Sequence, residues 1–266
     1  MRTGFVSFDR EAYSESIAHA DELGFDYVEL MMDGDAHRDQ LERDSDVVTD
    51  ALATHDVDLL VHLPYPMLIG SPHRHQRTGA VEELKRCIEV AATLGAEKGV
   101  LHPDSYAWRR LWDRDELNSM LVPSVRELDE FAAEHEFEIC LENHYDDVGS
   151  LDVHGFDVIL SETDTSMTFD TGHAAISGMT ESEMASFLTE HSERVSHLHL
   201  NDTRHPDTGY QEKDEHLPLG YGGLDFATAL QPVREGIWDG TLSIELDTAD
   251  FEYLEMSKRR LKRILA

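Results

Sequence analysis

Short apolar runs alternate with longer helical patterns from one end of this 266-residue chain to the other. The strand-like runs are residues 3–8, 26–31, 57–63, 98–102, 137–142, 166–170, 195–200 and 241–246. Apolar residues recur at three- and four-residue steps, as helices require, in residues 11–23, 40–55, 76–94, 114–135, 181–191 and 250–265. Strands that alternate with helices predict a parallel sheet, and eight such units in about 250 residues match a closed barrel. We therefore expect an α/β fold, a (β/α)8 TIM barrel with residues 1–266 as one domain; an open doubly wound sheet is the structural alternative.

The chain is strongly acidic, with 55 Asp and Glu against 22 Lys and Arg and a formal charge of −33. Such a balance is typical of proteins from salt-loving microbes, because charges are screened within ~3 Å at molar salt. It also leaves no broad positive surface for nucleic acid.

No run approaches the ~18 apolar residues of a membrane span, and Met1 leads straight into a strand, so we expect a halophilic, cytoplasmic protein without a signal peptide. Cys87 and Cys140 are too few for a disulfide framework or a thiolate cage, and we expect both to be buried.

Polar residues of metal-ligand type stand where the predicted strands end. In a barrel, the active site is built at the carboxyl ends of the strands. Side chains at or near these ends, from the second strand to the eighth, are Glu29, His62, His102, Glu142, Asp170, His199 and Glu245. His173 follows in the run Phe-Asp-Thr-Gly-His, and Asp214 and His216 stand after the seventh strand. Converging carboxylates would raise one another's pKa values unless a cation sat among them, so this pattern predicts a metal site.

Nine side chains are candidate metal ligands, which is more than one ion can use. They are His62, His102, Glu142, Asp170, His173, His199, Asp214, His216 and Glu245. Imidazole with carboxylate suits Zn, Mn, Fe or Co, and the absence of usable thiols argues against a sulfur-bound site. We expect a divalent metal cofactor, with Zn, Mn, Co or Mg as the candidates and one to three ions.

These motifs, in this order, resemble the xylose isomerase-like TIM barrels, which include sugar phosphate isomerases and epimerases and the endonuclease IV family of abasic-site nucleases. The resemblance covers essentially the whole chain. The matching runs are His62-Leu-Pro-Tyr, His102-Pro-Asp-Ser, Leu-Glu142-Asn, Phe-Asp170-Thr-Gly-His173, His199-Leu-Asn-Asp, Asp214-Glu-His216 and Ile-Glu245. They look like the positions that hold three zinc ions in endonuclease IV. In the sugar epimerases, residues that resemble Glu142, Asp170, His199 and Glu245 hold one metal.

The chain departs from both patterns in detail. The nucleases show Asp-Thr-Cys-His where this chain has Gly172 in place of the Cys, and their opening Gly-Ala-His-Val-Ser is replaced by residues 3–7 without a His. The epimerases place a Glu six residues after the fifth-strand Glu, where Val148 stands here, and an Arg six residues after the seventh-strand His, where His205 stands here. The resemblance therefore implies a relative of both groups whose substrate recognition differs.

The first hypothesis is a metal-dependent isomerase or epimerase that acts on a small polyol, sugar or sugar phosphate. A metal held by the four epimerase-type ligands would polarise adjacent carbonyl and hydroxyl oxygens and stabilise an enediolate. Glu142 and Glu245 would exchange the proton as base and acid, and His173 would orient a substrate hydroxyl. The glycine-rich segment 220–223 lies where barrels often bind phosphate, although glycine there can equally make a turn.

The alternative is a phosphoester hydrolase of the endonuclease IV type. In that scheme His62 and His102 hold one ion, Asp214 and His216 hold another, and Glu142 bridges two ions. The number of ligands favours this scheme, and the altered motifs and the acidic surface disfavour it. A dehydratase, an aldolase or a barrel that binds metal without turnover stays open, and nucleic acid is a partner only in the nuclease scheme. Barrels could also pair through their outer helices as a homo-oligomer.

Overall fold

The computed structural model describes residues 1–7, 13–108, 110–145, 152–204, 214–248 and 250–266. Eight parallel strands pair in chain order, and the first strand pairs with the eighth to close the barrel. The strands are β1 (Arg2–Ser7), β2 (Tyr27–Met31), β3 (Asp58–His62), β4 (Lys98–Leu101), β5 (Glu138–Glu142), β6 (Ser166–Asp170), β7 (Val195–Leu200) and β8 (Thr241–Ile244). The predicted (β/α)8 barrel is therefore confirmed, and the open sheet is excluded.

The helices surround this barrel. They are α1 (Tyr13–Leu23), α2 (Arg38–Arg43), α3 (Ser45–His55), α4 (Arg74–Thr93), α5 (Arg114–Glu134), α6 (Phe156–Glu162), α7 (Thr171–Ile176), α8 (Glu181–Glu190), α9 (Phe226–Ala229), α10 (Gln231–Arg234) and α11 (Phe251–Leu265). Short 3-10 turns lie at Gly34–Ala36 and Val153–Gly155. The sequence did not predict α6, α7, α9 and α10, because helices of four to seven residues are too short to show an apolar period.

The single helix predicted at residues 40–55 is two helices, α2 and α3, which meet at Asp44. The Asp44 backbone lies outside the helical region, with φ −102° and ψ 19°. Its carboxylate accepts hydrogen bonds from the Tyr13 hydroxyl at 2.7 Å and from the Gln40 amide at 2.5 Å. Side-chain bonds of this kind favour a turn over a continuous helix.

Side chains on β8 show how the strands position the site. Successive residues point to opposite faces of a strand. Leu242 and Ile244 point outward and pack in the hydrophobic core beneath the helices, whereas Thr241 and Ser243 point into the barrel and bond to His197 and Glu29. The next inward position belongs to Glu245, at the carboxyl end of the strand. The same alternation on the other strands brings their last polar residues to this end.

Two further expectations concern burial and the membrane. Cys87 and Cys140 are both buried as free thiols, as predicted. Among the helices in the described part of the chain, none combines the length and the apolar character needed to cross a bilayer.

Candidate metal centre

Four acidic and imidazole side chains from consecutive strands meet at the carboxyl end of the barrel. One ligand atom from each of Glu142, Asp170, His199 and Glu245 lies within 4.8 Å of the others, and none of the four residues is more than 3% exposed. His199 Nδ1 stands 3.0 Å from Glu142 Oε1 and 3.0 Å from Glu245 Oε2. This group has the donor types that first-row divalent metals and zinc take in proteins.

The Asp170 carboxylate is held in place from two sides. It caps the N-terminus of α7, where Oδ1 accepts a hydrogen bond from the His173 backbone N–H at 2.5 Å. Oδ2 accepts a hydrogen bond from the Asn201 side-chain amide at 2.6 Å. Both hydrogen bonds are made within the protein, so the orientation of the carboxylate does not depend on a bound ligand.

Two buried carboxylate oxygens of this group lack a well-aligned hydrogen bond. They are Glu142 Oε2 and Glu245 Oε2. Imidazole nitrogens do stand near them, with His102 Nε2 2.9 Å from Glu142 Oε2 and His199 Nδ1 3.0 Å from Glu245 Oε2, but at poor angles. A buried polar oxygen left in this way is costly. A cation among the four residues would satisfy Glu245 Oε2, and a cation beside His62 and His102 would satisfy Glu142 Oε2. The residues therefore fit a divalent ion.

Neighbouring carboxylates raise one another's pKa values here, and nearby imidazoles decide the net direction for each group. Burial raises the pKa of Asp170 to about 7. The negative charges of Glu245 and Glu142 also raise it, whereas the His173 imidazole lowers it. Burial also opposes ionisation of Glu142, but the imidazoles of His199 and His102 outweigh it and hold its pKa well below the ordinary value. In Glu245, burial and the neighbouring Glu142 both raise the pKa, but the imidazoles of His199 and His216 lie close by and supply positive charge that outweighs them.

A second group of ligand type shares Glu142. One ligand atom each from His62, His102 and Glu142 lies within 4.8 Å of the others. The Nδ1–H of His62 donates to the Leu63 carbonyl at 2.9 Å, so Nε2 is the nitrogen that faces Glu142 Oε2, at 3.6 Å. Glu142 thus lies between two groups, as a bridging carboxylate would.

A third group forms around Asp214, which the nuclease scheme paired with His216, and these two side chains do lie side by side. The side chains whose ligand atoms lie within 4.8 Å of one another are His144, His173 and Asp214. His216 stands to one side of them, with Nε2 2.8 Å from Asp214 Oδ1 and Nδ1 3.5 Å from Glu245 Oε2. His144 was missed, although it stands two residues after Glu142, where a strand-end search could have found it.

A buried carboxylate inside the barrel, below the candidate metal ligands, contacts the ring of His199. Glu29 is fully buried, and its oxygens stand 3.1 Å from His199 Nε2 and 3.1 Å from His197 Nε2. The Ser243 hydroxyl donates to Glu29 Oε2 at 2.5 Å. Burial opposes ionisation of Glu29, but His199 and His197 outweigh it and hold its pKa well below the ordinary value. His197 was missed in the sequence; it lies two residues before His199, on the same face of β7.

A cavity opens over these groups. Its volume is about 170 Å³, which is the share of roughly six water molecules at ~30 Å³ each. The Tyr65 and Tyr106 hydroxyls bond to each other at 2.9 Å at the exposed rim. The described residues that line the cavity are Met31, His62, Tyr65, His102, His144, Tyr145, His173, Asp214, His216 and Glu245. A small polar molecule therefore fits here in contact with the candidate ligands.

The glycine-rich segment 220–223 makes a turn around a carboxylate. Asp202 is fully buried, and its oxygens accept hydrogen bonds from the backbone N–H groups of Gly220 at 2.7 Å, Gly222 at 2.9 Å and Leu224 at 3.1 Å. Of the two roles that the sequence left open, the structure gives this segment the turn, because Asp202 occupies the place that a bound anion would take. Val148 and His205, where the sequence departs from the epimerase pattern, lie outside the described residues.

The chain belongs to the xylose isomerase-like TIM barrel family, which it matches over residues 17–264. An uncharacterized protein of Methanocaldococcus jannaschii is 27% identical over 255 residues, which cover 92% of this chain and 83% of that protein. An inosose dehydratase of Yersinia enterocolitica is 24% identical over 66% of this chain and 63% of its own length. A probable endonuclease 4 of Ureaplasma urealyticum is 26% identical over 77% of this chain and 71% of its own length.

Solved structures share the fold over the whole chain. A D-tagatose 3-epimerase-like protein has a TM-score of 0.85 at 27% identity, covering 100% of this chain and 97% of its own. The IolI protein with a bound zinc atom has a TM-score of 0.79 at 17% identity, covering 99% of this chain and 96% of its own. The second of these structures carries a metal.

Proposed function

We propose that this chain is a divalent-metal-dependent isomerase or epimerase that moves a proton at a carbon atom of a small sugar. One observation carries the proposal: Glu142 and Glu245, on β5 and β8, both stand 3.0 Å from the same nitrogen, His199 Nδ1. Both are buried beneath the cavity, so a substrate carbon above His199 would have a carboxylate on each side. The likeness to a D-tagatose 3-epimerase-like protein supports the same reaction class.

Glu142, Asp170, His199 and Glu245 are the residues that we propose hold the ion. When bound, a divalent metal supplies Lewis acidity that polarises neighbouring carbonyl and hydroxyl oxygens of the substrate.

The chain's own side chains would then move the proton. The pKa values of Glu142 and Glu245 are lowered, because neighbouring imidazoles outweigh the effect of burial, so both are ionised and one can accept a proton. The other carboxylate would take up a proton from solvent and deliver it to the opposite face of the carbon in an epimerisation, and the first would release its proton to solvent. His173 lies at the wall of the cavity, where its Nε2 would orient a substrate hydroxyl directly or through an ion bound to it.

The surroundings of the cavity favour a sugar over a sugar phosphate. Among the described residues that line it, none is Lys or Arg. The backbone N–H groups of Gly220 and Gly222 already bond to Asp202. Among these described residues, a phosphate would therefore find neither a basic side chain nor a row of open N–H donors. A volume of about 170 Å³ suits a small polyol.

A second candidate function is phosphodiester hydrolysis of the endonuclease IV type. The group of His62, His102 and Glu142 favours it, since a proton-transfer enzyme with one ion needs no second set of ligands. The 26% identity to a probable endonuclease 4 points the same way. The acidic chain and the absence of Lys and Arg from the described cavity wall oppose it.

The test is solvent exchange in high salt. The chain is stripped with a chelator, reloaded with Mn, Co or Zn, and incubated in D₂O with a panel of ketoses, while NMR follows deuterium at carbon. We expect exchange with the loaded wild type, none with the stripped protein, and a loss of about 10²–10⁴-fold in Glu142→Gln and Glu245→Gln.

The matched control is Glu138→Gln, which lies at the opposite end of β5 and pairs with Lys98. It should exchange at the wild-type rate. Cleavage of an abasic-site duplex without any carbon exchange would contradict the isomerase and support the hydrolase. Full exchange by both glutamine variants would refute the assigned acid and base.

A further inference from the structure

His144 occupies a position at the mouth of the barrel that the family resemblance does not assign. It follows β5 by two residues, is only 7% exposed, and lines the cavity. Its ring centroid lies 4.5 Å from that of His173 and 5.3 Å from that of His102. It therefore stands between the two outer groups of candidate ligands.

Backbone carbonyls set the tautomers of His144 and His173. The Nδ1–H of His144 donates to the Tyr145 carbonyl at 3.1 Å, and the Nδ1–H of His173 donates to the Asn143 carbonyl at 3.0 Å. In the neutral form of each ring, Nε2 is then the nitrogen that presents a lone pair. Histidines that bind metals almost always donate their other N–H to a carbonyl or carboxylate in this way.

The Asp214 carboxylate completes a set of three donors. Oδ2 stands 3.3 Å from His173 Nε2, and Oδ1 stands 2.8 Å from His216 Nε2. The ligand atoms of His144, His173 and Asp214 lie within 4.8 Å of one another. Donors about 2.1 Å from a tetrahedral zinc ion stand about 3.4 Å apart, so the donors would have to approach one another by at most about 1.4 Å to bind an ion.

We propose that His144, His173 and Asp214 hold a divalent ion of zinc type, separate from the ion at Glu142, Asp170, His199 and Glu245. His144 takes the place that the resemblance gives to His216, and His216 remains between Asp214 and Glu245. Two imidazoles and one carboxylate leave a fourth position open towards the cavity, as in zinc sites that contact a substrate. The inference rests on the proposed metal-dependent function and extends it to a second ion.

The test is the number of zinc ions per chain, measured by inductively coupled plasma mass spectrometry after zinc loading and dialysis. We expect His144→Ala and His144→Gln to hold one ion fewer than the wild type. His216→Ala should keep the full number. His75→Ala, on the exposed surface of α4, controls for the loss of an unrelated histidine and should also be unchanged.

Thermal unfolding with and without zinc gives a second reading that does not depend on activity. Zinc should raise the Tm of His144→Gln less than that of the wild type, because one site is missing. An unchanged ion count in both folded His144 variants would overturn this inference and leave the proposed function standing. A wild type that retains no ion would overturn both. Loss of an ion in His216→Ala with none lost in His144→Ala would return the third ligand position to His216.

Discussion

Replacing Glu29 with Gln tests whether the barrel interior supports the metal ligand above it. Glu29 is fully buried and lies 3.1 Å from His199 Nε2, while His199 Nδ1 faces Glu142 and Glu245. A carboxylate behind a ligating imidazole fixes the ring and increases its basicity. The glutamine keeps the shape of the side chain and removes its charge.

The expected magnitude follows from that geometry. Losing the partner behind a ligating histidine typically weakens metal affinity 10–100-fold, or about 1.4–2.7 kcal/mol. Glu29→Ala should behave differently. It also leaves Nε2 of His197 and the Ser243 hydroxyl without their buried partner. Removing one member of a buried charged network costs about 3–5 kcal/mol of folding stability, so the alanine variant should lose stability as well as affinity.

The assay is competition for zinc against a chromophoric chelator, paired with urea unfolding of the stripped protein. Glu138→Gln is the control, since this glutamate pairs with Lys98 at the other end of the barrel. Glu29→Gln with wild-type affinity would refute the idea that the interior carboxylate tunes His199. Equal affinity losses in Glu29→Gln and Glu138→Gln would assign the effect to the barrel as a whole.

Three further predictions concern the surroundings of the site. A Cβ at Gly172 would collide with the Asn201 side chain, which bonds to Asp170. Gly172→Ala should therefore weaken zinc binding in the same competition assay. Unchanged affinity would show that Asn201 does not position Asp170. Asp202→Ala removes the buried acceptor of the N–H groups of Gly220 and Gly222. Each unsatisfied group costs about 1–3 kcal/mol, so the free energy of unfolding, measured in urea, should fall by about 3 kcal/mol or more. In the metal-free chain burial opposes protonation of His216, but Glu245 and Asp214 outweigh it and raise the pKa from 6.5 to about 9. That stabilisation is complete below pH 6.5 and is lost towards pH 9; a Tm that does not fall over this range relative to His216→Gln would contradict it.

The sequence predicted the barrel and most of the site because both depend on local patterns. Strand and helix periods are local, and each of β1–β8 begins and ends within two residues of its predicted bounds. Polar residues at strand ends must meet in a closed parallel barrel, so Glu142, Asp170, His199 and Glu245 could be expected at one mouth without coordinates. Their assignment to a single ion came from the resemblance to the epimerases. The split between α2 and α3 was missed, because it depends on a hydrogen bond from Tyr13, far away in the chain, to Asp44.

The remainder depends on loops and on contacts across the barrel. His144 is turned towards His173 by the backbone after β5, and no period in the sequence reports that turn. Glu29 meets His197 through the barrel interior, between strands that are not neighbours. Asp202 fills the glycine-rich turn as an anion would, a pairing that depends on the antiparallel bridge between Asp202 and Leu217. Such contacts are tertiary, and a single sequence carries no direct signal for them.

Anomalous scattering from crystals loaded with zinc or manganese tests the central claim most directly. The account predicts an ion bonded to Glu142, Asp170, His199 and Glu245, at about 2.0–2.2 Å from their nitrogen and oxygen atoms if it is zinc. Crystals of loaded, folded protein that show no anomalous peak among these four side chains would contradict the proposed metal-dependent chemistry.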